Sequence, residues 1–387
     1  MTIEVYNAVG GAAFFQGQLQ EWRAAGAQVE FHEAVSESAY RARRGPAGRL
    51  VLRWRMYAGY GWQCWSEARR TVPPAWIRVV ATNPFFAPAL VARAARGRVP
   101  TINLLYDLYP EALVQTGRIG PDSWIAGRCA AISRFALREC AATVFLGDRL
   151  RAHAEAAHGR ARRAVVIPVG ADGAPFQTFE PGRLAPREPL RIIYSGQLGR
   201  MHDTSTLLAA WRGESILPSD ATWVFQASGS GYAQLRQQAG ARANVEWGGA
   251  LPAAEWQKAM KRAHVALVTV ASGAERVVMP SKVYSALVAG QAVLAICPRN
   301  SDLADLVRQH DCGWVVEPGD VAGLRQVLAR FRTNPGELWA KRCQAFAAGH
   351  RFYDVRPVAA QWMELIRDLA EPGRTARKTV TYHEAIV

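Results

Sequence analysis

Hydrophobic and polar positions follow two alternating patterns along the chain. Short runs rich in Val, Ile and Leu are typical of buried parallel strands, and stretches between them repeat apolar residues every three or four positions, as helices do. In the first half, strands are predicted at 3–8, 28–32, 77–81, 101–105, 143–146 and 165–168. Helices are predicted at 14–25, 88–95, 110–116, 125–140 and 148–157. This alternation predicts a doubly wound parallel sheet.

A Pro-rich, aperiodic stretch at 179–190, FEPGRLAPREPL, predicts a linker, and a second alternating series follows it. Strands are predicted at 191–195, 221–226, 244–247, 264–270, 292–296 and 313–316, with helices at 204–211, 231–239, 253–261, 281–288, 301–310 and 321–331. We therefore expect Rossmann-like domains at 1–178 and 191–352 that face each other across a cleft. A last helix within 353–370 is expected to pack back on the first domain, before a basic tail at 371–387.

Length and charge narrow the class of protein. A chain of 387 residues favours two domains, and 47 Lys+Arg against 32 Asp+Glu gives a net charge of +15, which indicates anionic partners. The six cysteines form no CxxC pair, which favours reduced thiols in the cytoplasm. His153 and His158 are spaced one residue too far apart for the HExxH zinc pattern, and no metal site is expected. The chain has no signal-like start and no run near the ~18 apolar residues of a membrane span, so we expect a soluble or peripheral protein.

One stretch indicates an anion site. MPSKVYSALVAG, at 279–290, follows the apolar run at 264–270 and begins a helix at Pro280 and Ser281. Free amides of Ser281, Lys282 and Val283 at the helix start, with the lysine beside them, suit a phosphate group. An ordinary capped helix explains the same residues equally well.

Six motifs occur in an order that identifies a family. They are DLYPE at 107–111, IPVGAD at 167–172 with Phe176, YSGQLGRMHD at 194–203, VFQASG at 224–229, NVEWGG with LP at 244–252, and PSKVY with Ala289-Gly290. Over nearly its whole length the chain resembles glycosyltransferase family 4, which has the two-domain GT-B fold. The motifs are similar to YSGNLGRxHD and PSKxYExLAAG of a bacterial branch that builds surface polysaccharides.

The resemblance implies a retaining, metal-independent hexosyltransferase-type enzyme that uses a UDP- or GDP-linked sugar as substrate and no further cofactor. Arg200 and Lys282 are then expected to stabilise the leaving diphosphate. Asp107 is expected at the reacting sugar and Glu111 at the acceptor, although both also suit helix capping. The other donor-binding candidates are Gly10 and Gly11, which form a tight turn, Gly196, His202 in place of a common lysine, Trp247, Gly248, Glu275, Ser281, Val283 and Ser285.

The chain departs from the family pattern at the ribose-binding carboxylates. The second Glu of the Glu-x7-Glu pattern is replaced by Ser285, and the first position is Val277, with Glu275 close but out of phase. Serine accepts a weaker, neutral hydrogen bond than a carboxylate. Donor affinity or nucleotide identity is therefore expected to differ from the family.

Residues 40–70 combine eight arginines, a single acid and six Trp or Tyr residues. This composition suits an anionic membrane surface and a lipid-linked glycan acceptor, which places the protein at the cytoplasmic face of the inner membrane. A partly buried helical pair whose Arg stems cover apolar surface is an equal alternative. Nucleic acid is not expected, because no binding motif accompanies the charge.

The predicted function is sugar transfer to a glycan in bacterial polysaccharide biosynthesis. Two alternatives remain open at this point. A nucleotide-sugar epimerase of the UDP-N-acetylglucosamine 2-epimerase type shares the architecture, and the loss of the family Glu at Ser285 also suits a catalytically degenerate, binding-only subunit.

Overall fold

The computed structural model describes residues 1–10, 13–42, 45–73, 76–178, 189–212, 221–240 and 244–370. It contains two compact units, one formed by Met1–Pro168 with the C-terminal residues from Val355, the other by Val169–Asp354. The expected linker lies outside the described residues except for 189 and 190, and the expected tail lies outside them entirely.

The described part of the first unit contains eight strands, six of which form one parallel sheet. Its strands are β1 Thr2–Tyr6, β2 Val9–Gly10, β3 Gln28–His32, β4 Val35–Ser36, β5 Trp76–Ala81, β6 Thr101–Leu105, β7 Ala142–Phe145 and β8 Ala164–Val166. The sheet has the order β3-β1-β5-β6-β7-β8, and β2 pairs separately with β4. The helices are α1 Ala13–Ala24, α2 Glu37–Arg41, α3 Pro46–Trp54, α4 Tyr60–Ala68, α5 Ala87–Ala95, α6 Glu111–Gln115, α7 Trp124–Glu139 and α8 Asp148–His158.

A buried ion pair links two neighbouring strands of this sheet. Glu4 on β1 lies beside Arg78 on β5 in the parallel register, and the Arg78 Nε atom donates to the Glu4 carboxylate at 2.6 Å. Arg78 is fully buried and also donates to the carbonyl of Ala68 at the end of α4. The pair therefore ties the sheet to the helical segment above it.

Residues 46–68 form one continuous helical segment with two different surfaces. The chain continues from α3 through a π-helical turn, Arg55–Gly59, into α4. Met56, Tyr60, Cys64 and Ala68 pack in a core cluster with residues of β1 and β5. Helix α3 has no buried residue, so the segment is buried on one side only.

The second unit repeats the architecture. Its strands are β9 Leu190–Gln197, β10 Ala221–Ser228, β11 Val245–Gly248, β12 Val265–Thr269, β13 Ala292–Ile296 and β14 Gly313–Val316, in the parallel order β11-β10-β9-β12-β13-β14. Its helices are α9 Ser205–Trp211, α10 Ser230–Ala239, α11 Ala253–Arg262, α12 Lys282–Val288, α13 Asp302–Gln309, α14 Val321–Thr333 and α15 Pro335–Ala348. The predicted α/β fold with two Rossmann-like parallel-sheet domains is confirmed.

The last helix, α16 Val355–Ala370, belongs to the first unit. Its Trp362 ring packs against Trp22 of α1 with centroids 5.6 Å apart, and Asp368 accepts a hydrogen bond from Arg163 at 2.9 Å. Helix α16 therefore packs on the first unit through its apolar face and the Trp22–Trp362 contact.

Candidate functional site

The sequence candidates in the second unit gather where the strand order reverses. Strands β9 and β12 are neighbours in the sheet, but their pairing covers only Val265 with Ile192 and Ala266 with Ile193. Beyond these residues the carboxyl ends separate, which is where open α/β sheets bind ligands. The loop after β9 carries Arg200 and His202, and the chain after β12 carries Glu275 and leads to Lys282.

The loop after β9 packs closely against the backbone at Gly229. Gly229 has a φ of +112°, and a Cβ atom there would lie 2.7 Å from the Leu198 carbonyl oxygen. The Leu198 amide donates to the Ser228 carbonyl at 2.8 Å, and the Ala271 amide donates to the Met201 carbonyl at 2.9 Å. Arg200, an exposed residue, and His202 are therefore carried by a loop that is anchored on both sides.

Lys282 lies at the centre of a dense polar network. Its Nζ atom is 2.7 Å from Tyr194 Oη, 3.2 Å from the Gln197 carbonyl oxygen and 2.8 Å from His202 Nε2. Although Lys282 keeps some surface exposure, burial lowers its pKa to about 7. Gly196 has a φ of +117°, and a Cβ atom there would lie 3.7 Å from the Lys282 Cε atom. Two predicted donor-binding residues, Gly196 and His202, thus contact or adjoin the lysine.

Two members of this network were not identified from the sequence. Tyr194 and the Gln197 carbonyl lie inside the YSGQLG motif, and this motif is the signal that could have identified them. Burial raises the pKa of the Tyr194 hydroxyl well above its usual 10, so Tyr194 keeps its proton. Burial and the nearby lysine lower the pKa of His202 to about 3, so its ring is neutral.

The expected row of three free amides at the start of α12 is wrong at one position. The Val283 amide donates to the Pro280 carbonyl at 3.2 Å, because the chain makes a tight turn before the helix. Val283 is also fully buried, whereas Ser281 is exposed. Of the two side chains, Ser281 therefore has the accessible position.

Glu275, near the switch point, has a largely buried carboxylate. It lies in a 3-10 turn, Ala274–Arg276, and its side chain is 11% exposed. One carboxylate oxygen, Oε2, is buried without a hydrogen-bond donor among the described residues, and the other lies 3.6 Å from Arg276 Nε. A buried acceptor without a donor is costly unless a ligand or water supplies one. Ser285, at the family's Glu position, is partly exposed on α12, and Val277 is buried.

Trp247 and Gly248 have surroundings of a different kind. The Trp247 ring stacks on Phe225 with centroids 4.9 Å apart and packs against the core of the second sheet. The Gly248 carbonyl accepts a hydrogen bond from the Tyr232 hydroxyl at 2.9 Å. The Trp247 ring thus packs against the hydrophobic core of the second unit, and the Gly248 carbonyl is bonded to Tyr232.

Only the first glycine of the expected tight turn in the first unit lies among the described residues. Gly10 lies in strand β2, paired with Ser36 of β4, and a Cβ atom there would overlap the Glu33 carboxylate. Gly11 lies outside the described residues. The glycine at position 10 therefore allows close approach of a side chain from the same unit.

Asp107 and Glu111 follow strand β6, and of their two carboxylates only that of Glu111 has a hydrogen-bond partner among the described residues. Glu111 is hydrogen-bonded to His158 Nε2 at 2.9 Å; burial opposes this charge, but the contact with His158 lowers the pKa of Glu111. The Asp107 carboxylate accepts no hydrogen bond within the described residues, and burial raises its pKa to about 6. Tyr109 beside it stacks on Phe85 with centroids 4.8 Å apart.

Two further features of the described residues lie away from these candidates. A cavity of about 300 Å³ opens between α11 and the sheet, lined by charged residues that include Arg191, Glu246 and Lys258. Ligand atoms of Glu4, Glu30 and His32 lie within 4.8 Å of one another, but Glu4 is already paired with Arg78. Neither feature contains a predicted site residue.

Comparison with known proteins gives a family match within the second unit. Residues 189–334 match the family described as Glycosyl transferases group 1. A stretch of 238 residues is 23% identical to a probable glycosyltransferase, WbjE, of Pseudomonas aeruginosa, and the match covers 58% of this chain and 58% of that protein.

Solved structures with a similar fold cover 95% of the chain. Sucrose-phosphate synthase from Thermosynechococcus elongatus superimposes with a TM-score of 0.72 at 13% identity over 99% of its chain. Anabaena HepE in complex with UDP-glucose gives 0.68 at 15% over 100%, and WaaG, a glycosyltransferase involved in lipopolysaccharide biosynthesis, gives 0.65 at 15% over 99%. The chain thus carries a Glycosyl transferases group 1 domain at residues 189–334 and has the GT-B fold.

Proposed function

We propose that the protein is a retaining glycosyltransferase of the family 4 surface-polysaccharide branch, which moves a sugar from a UDP- or GDP-linked donor to a glycan. The observation that carries this proposal is the contact of His202 with Lys282, with Arg200 on the same loop, at the switch point of a Glycosyl transferases group 1 domain. The resemblance to WbjE, a probable glycosyltransferase, supports the activity, and the UDP-glucose bound to HepE supports a nucleotide-sugar donor. The matched family does not favour the epimerase alternative.

The chemistry follows from where charge develops. The bond between the sugar's anomeric carbon and the diphosphate breaks, and the acceptor oxygen bonds to the same carbon from the leaving-group side. A donor phosphate oxygen takes the hydroxyl proton. Negative charge grows on the nucleoside diphosphate, and fixed cations beside it stabilise the transition state more than the ground state. Arg200 and Lys282 supply that charge in the proposal, and the buried Glu275 carboxylate accepts hydrogen bonds from donor hydroxyls.

This arrangement needs no divalent ion, because the basic side chains neutralise the leaving group. We therefore expect the turnover rate to be unchanged after EDTA treatment and dialysis. Loss of activity that Mg²⁺ or Mn²⁺ restores would contradict the basic-residue mechanism.

The acceptor is proposed to be lipid-linked and reached at the cytoplasmic face of the inner membrane. A row of aromatic rings supports this in the first unit. Tyr57, in the π-helical turn between α3 and α4, contacts Phe86, and Phe86 contacts Phe85. Phe85 in turn stacks on Tyr109 near Asp107, and the ring centroids are between 4.8 and 6.3 Å apart. Among the described residues, no helix is both long and apolar enough to cross a bilayer. Surface contact is therefore the mode of membrane association that we propose.

The proposal is tested by replacing the two cations separately. Arg200→Ala and Lys282→Ala should each lower turnover about a hundredfold, since one preorganised electrostatic contact typically contributes that much. The measurement is release of UDP or GDP from a panel of nucleotide-sugars, with a membrane lipid extract as acceptor. Arg236→Ala, an exposed arginine on α10, is the matched control and should leave turnover unchanged.

Two outcomes would contradict the proposal. Near-normal turnover in both variants would show that the diphosphate lies elsewhere. Binding of a nucleotide-sugar without any turnover would favour the binding-only subunit instead.

A further inference from the structure

The hydrogen bonds around Lys282 determine where each proton lies. The backbone amide of Gly199 is a fixed donor, and it donates to His202 Nδ1 at 3.1 Å. That nitrogen therefore carries a lone pair, and the neutral imidazole has its proton on Nε2. The Nε2–H group lies 2.8 Å from Lys282 Nζ and must donate to it. An ammonium group has no lone pair to accept this bond.

A neutral amine satisfies every partner in the network. Tyr194 donates its hydroxyl proton to the Gln197 carbonyl at 2.7 Å, so its oxygen is free to accept. The two N–H groups of a neutral Lys282 then donate to Tyr194 Oη and to the Gln197 carbonyl, while its lone pair accepts from His202. An ammonium would place two donors, Nζ and Nε2–H, against each other.

The charged groups around α12 do not supply a counter-charge. Within the described residues, Nζ contacts no carboxylate. Asp203 accepts from Ser205 and from the Thr206 amide, and Glu275 faces Arg276. The charged and titratable groups on the elements packed against α12 have partners of their own. On α15, Lys341 donates to Asp311 and Arg342 donates to the Gly290 carbonyl. In the turn after α15, His350 is bonded to the Val288 carbonyl, Arg351 lies over the Phe352 ring, and Tyr353 is bonded to His310. Arg200 adds a further positive charge on the same loop.

We propose that Lys282 is a neutral amine in the empty site, held so by His202, and that a nucleoside diphosphate makes it take up one proton on binding. The inference rests on the proposed function. A diphosphate beside the amine favours the ammonium form, since an opposite charge within a few ångströms stabilises it. The low pKa values of Lys282, about 7, and of His202, about 3, agree with this proton arrangement. The Lys282 ammonium thus forms only when the nucleoside diphosphate is bound.

A titration of the empty protein tests the first half. The chain has five lysines, at positions 258, 261, 282, 341 and 378, so the ¹³Cε signals of labelled lysine are few. Lys282→Arg assigns the signal of Lys282. We expect that signal to titrate near pH 7, and to move at least one pH unit higher in His202→Ala. A Lys282 signal that stays in the ammonium form up to pH 9 would overturn the inference.

Calorimetry with UDP and GDP tests the second half. At pH 8 the terminal phosphate of either nucleotide is already ionised, because its pKa is about 6. Titrations in buffers of different ionisation enthalpy should show uptake of close to one proton by the wild type. Between pH 8 and 9 the affinity should fall about tenfold, because Lys282 must be protonated at increasing cost. Lys282→Arg, a permanent cation, should take up no proton and should bind with little pH dependence.

The outcomes separate this inference from the function on which it rests. Normal nucleotide binding without proton uptake overturns the neutral amine and leaves the glycosyltransferase proposal intact. Absence of binding by UDP, GDP and their sugars overturns the proposed function, while the lysine titration still decides the state of the empty site.

Discussion

At the scale of single residues, Asp107 has a carboxylate whose charge depends on pH near neutrality. Burial raises its pKa to about 6, and no described side chain donates to it. If the ionised form orients the acceptor hydroxyl, activity should be half-maximal near pH 6, reach its maximum at higher pH and approach a tenfold fall per unit at lower pH. Asp107→Asn should lower turnover and remove this acidic limb.

The pH dependence of turnover between 5 and 8 checks this prediction. Asp122→Asn, an exposed carboxylate before α7, is the control and should keep the wild-type profile. An unchanged acidic limb in Asp107→Asn would assign that limb to another group. Loss of turnover at all pH values with the limb intact would mean that Asp107 acts only in positioning.

The residue scale is also where sequence reasoning is least complete. The PSKVY and YSGQLGRMHD motifs named Lys282 and His202 as candidates, and the structure brings the two side chains into contact. The proton arrangement between them was not predictable, because it depends on the Gly199 amide and on the turn of the loop. Trp247 illustrates the same limit, since strand alternation does not tell which aromatic ring packs inward against Phe225.

At the scale of elements, the pair Glu4–Arg78 joins β1, β5 and the end of α4. Replacing Arg78 by Met should destabilise the first unit by about 3–5 kcal/mol, because the buried Glu4 carboxylate loses its partner. Adding Glu4→Gln should recover much of this loss. Hydrogen exchange of peptides from β1 and β5 under mild urea measures the local stability.

The pH dependence of stability gives an independent check of this ion pair. Burial raises the pKa of Glu4, but the nearby His32 ring and the hydrogen bond from Arg78 outweigh this and lower it below its ordinary 4.5. A lowered carboxylate pKa stabilises the fold above pH 4.5, and this contribution is lost as pH falls through the folded-state pKa. The double variant should lose less stability on acidification than the wild type. Equal losses would mean that other carboxylates dominate.

Element positions were largely predictable where the hydrophobic period was clear. Strands β3, β6, β13 and β14 lie at the predicted residues, and the other predicted strands and helices differ from prediction by at most three residues at either end. Helix α15 was not predicted, because its inner face includes Lys341 and Arg342, both buried by partners on other elements. The short pair β2–β4 was missed because two-residue strands have no period.

At the scale of the whole molecule, positive charge and exposed apolar surface coincide on helix α3. Leu50 and Trp54 are 70% and 65% exposed, and Val51 and Tyr57 are also exposed, so a continuous apolar stripe faces outward. Arg49 and Arg53 lie beside the stripe on the same helix. Of the two alternatives for residues 40–70, α4 fits a buried helix, while α3 keeps the composition of an interfacial one.

The final prediction is that α3 binds anionic membranes through two separable contributions. Each arginine near an anionic surface contributes about 1 kcal/mol, so Arg49→Glu with Arg53→Glu should weaken binding at least thirtyfold. The part that remains at high salt comes from apolar burial, and Leu50→Ser with Trp54→Ala should remove it. Co-sedimentation with phosphatidylglycerol vesicles, at low and high salt, measures both. Arg160→Glu with Arg162→Glu makes the same charge change on exposed residues after α8 and should bind as the wild type does. If this control falls as far as the α3 variant, net charge alone drives association, and the stripe on α3 has no membrane role.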